Sequence, residues 1–255
     1  MSRSGEALEE LLGIQKRLLA PGGCPWDREQ DHRSLVRYLI EEAYEVIEAI
    51  NEGDMHKLQE ELGDLLLQVV FHATLAEARG DFDFADLTQT VSRKMVDRHP
   101  HVFGSMPLHT SEDVLDNWEG FKRREGKQYL LQGIPPGLPA LLRAQKIQEK
   151  MSRVGFDWPT IAGAQEQLRE ELAELEQART QAEITDEMGD VLFALVNLAR
   201  FQKVEAELAL QQANDKVTRR FNYIERQVQE SGRRVAELSL EELDAIWDEA
   251  KRQGL

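Results

Sequence analysis

The sequence predicts an all-α protein made of two tandem four-helix-bundle-like units related by internal duplication. Three observations predict it. Apolar residues recur at helical spacing over nearly the whole chain, and alternating strand-like segments are scarce. An acidic pattern is written twice: Glu41-Glu42-Ala43-Tyr44-Glu45 followed by Glu61-Leu62-Gly63-Asp64, then Glu170-Glu171-Leu172-Ala173-Glu174 followed by Glu187-Met188-Gly189-Asp190. Between the copies, Gly133-Ile134-Pro135-Pro136-Gly137-Leu138-Pro139 cannot continue a helix, because its prolines lack the amide donor and its glycines favour turns. The expected organisation is an N-terminal domain over 1–127, a linker over 128–139 and a C-terminal domain over 140–255.

In the first unit, Leu35, Val36, Leu39, Ile40, Ala43, Val46, Ile47 and Ile50 trace one apolar helical stripe with Glu42 at its edge. Asn51-Glu52-Gly53-Asp54 has a turn composition and ends that helix; a long second helix then runs to about Arg79-Gly80. A third is expected from Phe84 to His99, stopped by Pro100, and a fourth from Ser111 to Lys127. After the linker, Pro139 suits a first helical turn and the helix runs to about Arg153, where Gly155-Phe156-Asp157-Trp158-Pro159 breaks it. Helices follow over Ala162–Ala178, Glu183–Lys203 and Ala206–Gln229, and Ser239 with Glu242 makes a capping box for the last one.

The duplication extends past the acids. Lys94 with Arg98 corresponds to Lys216 with Arg220, and Trp118 with Lys122 corresponds to Trp247 with Lys251. Fifteen residues separate Glu45 from Glu61 but twelve separate Glu174 from Glu187, so the variation falls in a loop, where length is tolerated.

The 255 residues carry a formal net charge of -16 and a pI near 4.9, which opposes nonspecific binding to nucleic acid or an anionic membrane. Cys24 stands alone, so no intrachain disulfide forms, and it reads as a packed turn residue flanked by Pro25 and Trp26. The opening residues lead into an acidic helix rather than an apolar signal core, and no apolar stretch reaches the roughly 20 residues needed to span a bilayer. A soluble cytoplasmic protein is the expectation.

Side chains three apart share a helix face, so Glu42 with Glu45, Glu61 with Asp64, Glu171 with Glu174 and Glu187 with Asp190 each form an oxygen pair pointing one way. Two such helices packed antiparallel make a four-carboxylate pocket. The second helix of each copy is apolar on nearly every side and is expected to be buried, where clustered carboxylates are costly unless paired, protonated or bound to a cation. Hard oxygen ligands without imidazole favour Mg²⁺, with Mn²⁺ as a substitute, over zinc. All six histidines lie in the first half, which excludes a histidine-assisted nucleophile in the second. Lys216, Arg219 and Arg220 are placed to meet phosphate oxygens or to form a solvated face. Trp247 serves either as a core aromatic or as a stacking surface for a flat ring.

Glu-Glu-x-x-Glu, a loop, then Glu-x-x-Asp resembles the all-α nucleoside triphosphate pyrophosphohydrolase superfamily. Within it, Cys24-Pro25-Trp26-Asp27, the run from Glu61 to His72, Arg98-His99-Pro100-His101-Val102-Phe103-Gly104 and Arg153-Val154-Gly155-Phe156-Asp157-Trp158 resemble the tandem-domain MazG proteins over nearly the whole chain. The resemblance implies hydrolysis of nucleoside triphosphates to monophosphate and diphosphate, Mg²⁺ dependence, broad base tolerance, nucleotide-pool housekeeping and a homodimer. It implies Glu171, Glu174, Glu187 and Asp190 as metal ligands and Glu170 or a neighbouring carboxylate as the base that activates water. Lys216, Arg219 and Arg220 are expected on the phosphates, Asn214 on sugar or phosphate, and Trp247 against the base. Asn214-Asp215-Lys216 matches the family's phosphate-side motif, whereas the first copy has Ser92-Arg93-Lys94. The second copy is therefore expected to carry most of the activity, with Glu42, Glu45, Glu61 and Asp64 as a second possible metal site. Two rival readings remain at this point: a di-iron carboxylate bundle, which normally wants Glu-x-x-His on two helices, and a non-enzymatic helical dimerisation or regulatory module.

Overall fold

The computed structural model describes residues 2–106, 110 and 129–255, and the chain divides into two compact units, 1–121 and 122–255. No strand occurs among the described residues, in agreement with the predicted all-α class. The expected helix from Ser111 to Lys127, together with Trp118 and Lys122, lies outside the described residues.

The first unit contains α1 (Arg3–Leu19), α2 (Pro25–Glu29), α3 (Val36–Glu52), α4 (Met55–Arg79), α5 (Phe84–Arg98) and α6 (Pro100–Phe103). Helix α4 is its axis: α3 packs along it, and α1 and α5 lie against it. Leu35, Phe71 and Leu75 form the buried centre, with Leu19 and Tyr38 packed around them. The turn between α1 and α2 is tight enough to demand glycine. A Cβ on Gly23 would stand 2.2 Å from the Leu18 carbonyl oxygen, the same oxygen that accepts from the Cys24 amide at 2.9 Å. Cys24 is the N-cap of α2, and Pro25 occupies the first helical turn, where a missing amide hydrogen costs nothing.

The second unit contains α7 (Ala140–Ser152), α8 (Ile161–Gln177), α9 (Gln181–Phe201), α10 (Ala206–Glu230), a 3₁₀ turn (Val235–Glu237) and α11 (Leu240–Arg252). Helix α9 packs along α8 and across α7, while α10 packs on α11 and α7. Gln145 of α7 is buried and anchors the start of α10: its Oε1 accepts from the Ala206 amide at 3.0 Å and its Nε2 donates to Glu205 at 3.0 Å. Ser239 and Glu242 form the predicted capping box of the last helix.

One expectation is corrected. The helices bearing the second acidic pair of each copy are not buried on all sides: Leu62 is 49% and Leu192 47% exposed, and Leu66, Met188 and Leu195 are exposed too. Each of these helices is covered by its unit's own helices on one side only, where Val70, Ala73, Ala76, Val191, Ala194 and Val196 are buried. The repeated glycines, Gly63 and Gly189, lie on uncovered backbone, where an added Cβ would meet nothing.

His32 and His72 lie side by side in the first unit, rings nearly parallel with the two Nδ1 atoms 2.8 Å apart. One nitrogen donates and the other accepts, so a second proton would set two N–H groups against each other. Burial, reinforced by His32, holds the His72 pKa below the ordinary imidazole value. A depressed folded pKa means that the stabilisation is present above the unfolded value of about 6.5 and is lost as pH falls through the folded one. His72→Gln is therefore expected to flatten the decline in thermal stability as pH falls below about 6.5, as followed by calorimetric melts. An equally steep decline in the variant would refute this origin.

Candidate metal and nucleotide site

Two helix pairs bring the repeated acids together, α3 with α4 and α8 with α9, and turn chemistry fixes how each pair meets. Helix α3 ends at Gly53, whose φ of 70° lies in the left-handed region, and Asp54 caps α4 by accepting from the His56 amide at 2.9 Å and the Lys57 amide at 3.1 Å. In the second unit, Thr180 and Glu183 form a capping box at the start of α9. The Glu183 carboxylate accepts from the amides of Arg179 and Thr180, which holds its pKa below the usual carboxylate range. Each cap starts the second helix at a set residue, and the acids follow from it at helical spacing.

In the first unit, carboxylate oxygens of Glu42, Glu45 and Glu61 all lie within 4.8 Å of one another; in the second, those of Glu171, Glu187 and Asp190 do. A different member of the expected four stands outside in each: Asp64 on α4, and Glu174 on α8. Both outliers are still felt electrostatically. Burial pushes the pKa of Glu42 up, and Asp64 and Glu45 push it further. Burial likewise raises Glu61, with Glu45 adding to the effect, and raises Glu187, with Glu174, Asp190 and Glu171 adding to it.

Glu187 Oε2 is buried and accepts no hydrogen bond, whereas Glu171 already accepts from Gln167 Nε2. A buried carboxylate oxygen without a donor, among two other carboxylates, suits a hard divalent cation, and without one the raised pKa of Glu187 favours a proton there. Neither gathered set contains a histidine, so the Glu-x-x-His ligation of a di-iron centre is absent from both.

A cavity of about 410 Å³ opens beside this second set, with Glu171 and Asp190 in its wall. The remaining wall is largely aromatic and amide: Phe156 and Trp158 from the loop before α8, Phe193 and Asn197 from α9, and Gln148 from α7. Arg200 is fixed across it, donating to Asp157 at 2.5 Å and to Asn197 at 2.7 Å. In the sequence, Phe156, Asp157 and Trp158 stand out only as a helix break and as part of a resemblance, and Gln148, Asn197 and Arg200 do not stand out at all. Two aromatics in a loop directly preceding an acidic helix are the signal that would have found the first part.

The other expected site residues lie elsewhere in the second unit. Asn214, Lys216 and Arg219 are exposed on α10, and Glu170 is exposed on α8. Arg220 is half-buried: its Nε donates to the Leu255 carbonyl oxygen at 2.7 Å, and its guanidinium lies 5.4 Å from the centre of the Trp247 ring. None of Asn214, Lys216, Arg219, Arg220 and Trp247 lines the cavity beside Glu171 and Asp190.

A duplicated helical fold, each copy with a carboxylate cluster suited to a cation, defines a class of metal-dependent nucleotide hydrolases with tandem all-α domains. Residues 30–103 and 162–224 match the MazG nucleotide pyrophosphohydrolase domain, and the chain belongs to that family. It is 45% identical over 254 residues to a Thermotoga maritima protein named nucleoside triphosphate pyrophosphohydrolase/pyrophosphatase MazG, covering 98% of each chain. It is also 45% identical over 258 residues to the Escherichia coli K12 nucleoside triphosphate pyrophosphohydrolase, covering 97% of this chain and 98% of that one. A crystal structure of a mazG-related protein from Thermotoga maritima aligns with 45% of this chain and 98% of its own, at 30% identity and a TM-score of 0.40.

The raised pKa of Glu187 has a signed consequence. A carboxyl whose folded pKa is raised stabilises the fold below its ordinary value and loses that contribution as pH rises through the folded one. At neutral pH without divalent ions, Glu187→Gln is therefore expected to melt higher than the parent chain, with the gap closing toward about pH 4.5. Added Mg²⁺ should reverse the order, since an ion at 100 times its Kd contributes about 2.7 kcal/mol to the parent and less to the variant. Scanning calorimetry with and without chelator reads both effects; identical melts under every condition would mean that the cluster is not strained.

Proposed function

We propose that this protein hydrolyses nucleoside triphosphates to monophosphate and diphosphate, that it depends on Mg²⁺ with Mn²⁺ as a substitute, and that it tolerates many bases, as suits housekeeping of a cytoplasmic nucleotide pool. The observation that carries this reading is Glu187 Oε2, buried without a donor among carboxylates that raise its pKa, in a chain of the MazG family. Glu171, Glu174, Glu187 and Asp190 would hold the ion, with Glu174 turning in to complete the set. Bound there, a divalent cation supplies charge neutralisation for the triphosphate.

The chain's own groups do the rest. A water oxygen bonds to the α-phosphorus while the bond from that phosphorus to the bridging oxygen breaks, and diphosphate leaves with the bridging oxygen. Glu170, exposed on α8 and next to Glu171 in the chain, or a neighbouring carboxylate takes the proton of that water. Lys216 and Arg219, exposed on α10, bind phosphate oxygens, and Asn214 contacts sugar or phosphate. Arg220 is the third phosphate ligand, and the Trp247 ring next to its guanidinium orients it. Position and charge account for most of the catalysis in reactions of this type.

The acting species is a homodimer. Leu62, Leu66, Leu192 and Leu195 leave apolar surface uncovered beside both carboxylate sets, and the bare backbone at Gly63 and Gly189 admits close approach of another helix. The second unit carries most of the turnover, because it alone has Asn214 ahead of the lysine, while the first set of Glu42, Glu45, Glu61 and Asp64 binds an ion and acts weakly.

Incubation with each common ribo- and deoxyribonucleoside triphosphate should give monophosphate and diphosphate only when Mg²⁺ is present. Release of orthophosphate would refute the reaction. Glu187→Gln should lower kcat at least 100-fold and Glu61→Gln less than fivefold, magnitudes of the order seen when an electrostatic catalytic group is lost; equal losses would refute the division of labour.

A further inference from the structure

We propose that the turn ending α11 aims Arg220 at phosphate: Gly254 sets the Leu255 carbonyl oxygen on the guanidinium, and Gln253 ties the same turn to α10. Gly254 and Gln253 are then positioning residues that act through Arg220. The inference rests on the reading of Arg220 as a phosphate ligand given above and names what holds that side chain ready.

A guanidinium carries five N–H donors in one plane, one on Nε and four on the two terminal nitrogens. In Arg220 the Nε hydrogen goes to the Leu255 carbonyl oxygen at 2.7 Å, and the central carbon lies 5.4 Å from the centre of the Trp247 ring. One edge and one face are thus held. Among the described residues, nothing accepts from the four terminal N–H groups. A fork fixed at its base with a free tip is set for two oxygens of one phosphate, and the side-chain entropy that an unfixed arginine loses on binding is already gone.

The Leu255 carbonyl is itself placed by the turn. Gly254 has a φ of 81°, in the left-handed region. Its amide donates to the Lys251 carbonyl oxygen at 3.0 Å and the Leu255 amide to the Ala250 carbonyl oxygen at 3.1 Å, the paired bonds of a Schellman motif. Ala250 is buried, so the motif hangs from a fixed point of α11. Gln253 adds a side-chain tie: its Nε2 donates to the Tyr223 hydroxyl oxygen at 2.8 Å. Tyr223 is buried on α10, one helical turn beyond Arg220. The turn therefore grips α10 at two successive levels, Leu255 on Arg220 and Gln253 on Tyr223.

The two indoles of the second unit are seated differently. Trp158 rests on backbone, since a Cβ on Gly163 in the first turn of α8 would lie 2.8 Å from its ring, whereas Trp247 has the Arg220 guanidinium against its ring. A Cβ on Gly254 would meet no atom within 4 Å, so a side chain there acts through the backbone angle alone.

Calorimetric titration of the full chain, with Mg²⁺ and a nucleoside triphosphate analogue bearing a nonhydrolysable α–β bridge, reads this clasp. Gly254→Val, which brings a β-branched residue that resists positive φ, and Gln253→Leu, which cuts the tie to Tyr223, should each bind about tenfold more weakly, the scale of one charge-assisted hydrogen bond. Gly254→Asn, which tolerates the left-handed region, should bind within about twofold of the parent. In an Arg220→Ala background neither Gly254→Val nor Gln253→Leu should weaken binding further, because the clasp acts only through that side chain. Parent-like binding by either variant would overturn that residue's role, and an undiminished loss in the Arg220→Ala background would overturn positioning altogether. Parent-like binding by Arg220→Ala would overturn the phosphate role of Arg220 and the clasp with it. Orthophosphate released from true substrates, alongside the expected binding pattern, would overturn the reaction and leave the clasp standing.

Discussion

Mutual repulsion among half-buried carboxylates is the constraint on which both units turn. In each, two helices meet so that three acids bring oxygens within 4.8 Å, with the fourth close enough to raise a neighbour's pKa. Among the described residues, no salt bridge reaches either gathered set. Lys57 lowers the Glu61 pKa only as the smallest of several effects, and its own ammonium is held by Glu48 and Glu52. A fold that keeps such a cluster stores unfavourable electrostatic energy, which a doubly charged ion releases on binding. Ion affinity and apo-state strain are therefore one quantity seen from two sides.

Local chemistry was legible in the sequence. The acids sit on the helices that the spacing predicts, Gly53 and Asp54 make the stop and start that their composition announces, and Ser239 with Glu242 closes the box that the pattern requires. These features depend on residues within one turn of each other, so a linear reading captures them. The cavity was not legible in the same way. Gln148, Trp158, Asn197 and Arg200 come from α7, a loop and α9, and converge only because α9 packs across α7. Likewise an apolar run such as Leu65-Leu66-Leu67 says that surface must be covered but not by what, which is why exposed Leu62 and Leu66 departed from expectation.

The two copies share a plan and differ in detail. The outlying acid of the first set lies on the same helix as Glu61, while that of the second lies on the helix opposite Glu187. The first unit also holds the His32–His72 pair, and its Trp26 meets Tyr38 edge-on at 5.7 Å rather than resting on a glycine. Duplication supplied one scaffold, and divergence at its rim gave the copies separate characters.

The residue that seats Trp158 has no side chain at all. Because Gly163 lies beneath the indole on the first turn of α8, the orientation of the largest ring in the cavity is dictated by an absence of atoms. Tolerance to mutation here will not track proximity to ligand: the smallest possible gain in bulk, one methyl group on the far side of the plate, displaces a surface that polar replacements nearer the solvent would leave untouched. A glycine beneath an aromatic ring thus places that ring in this fold as firmly as a packed side chain would.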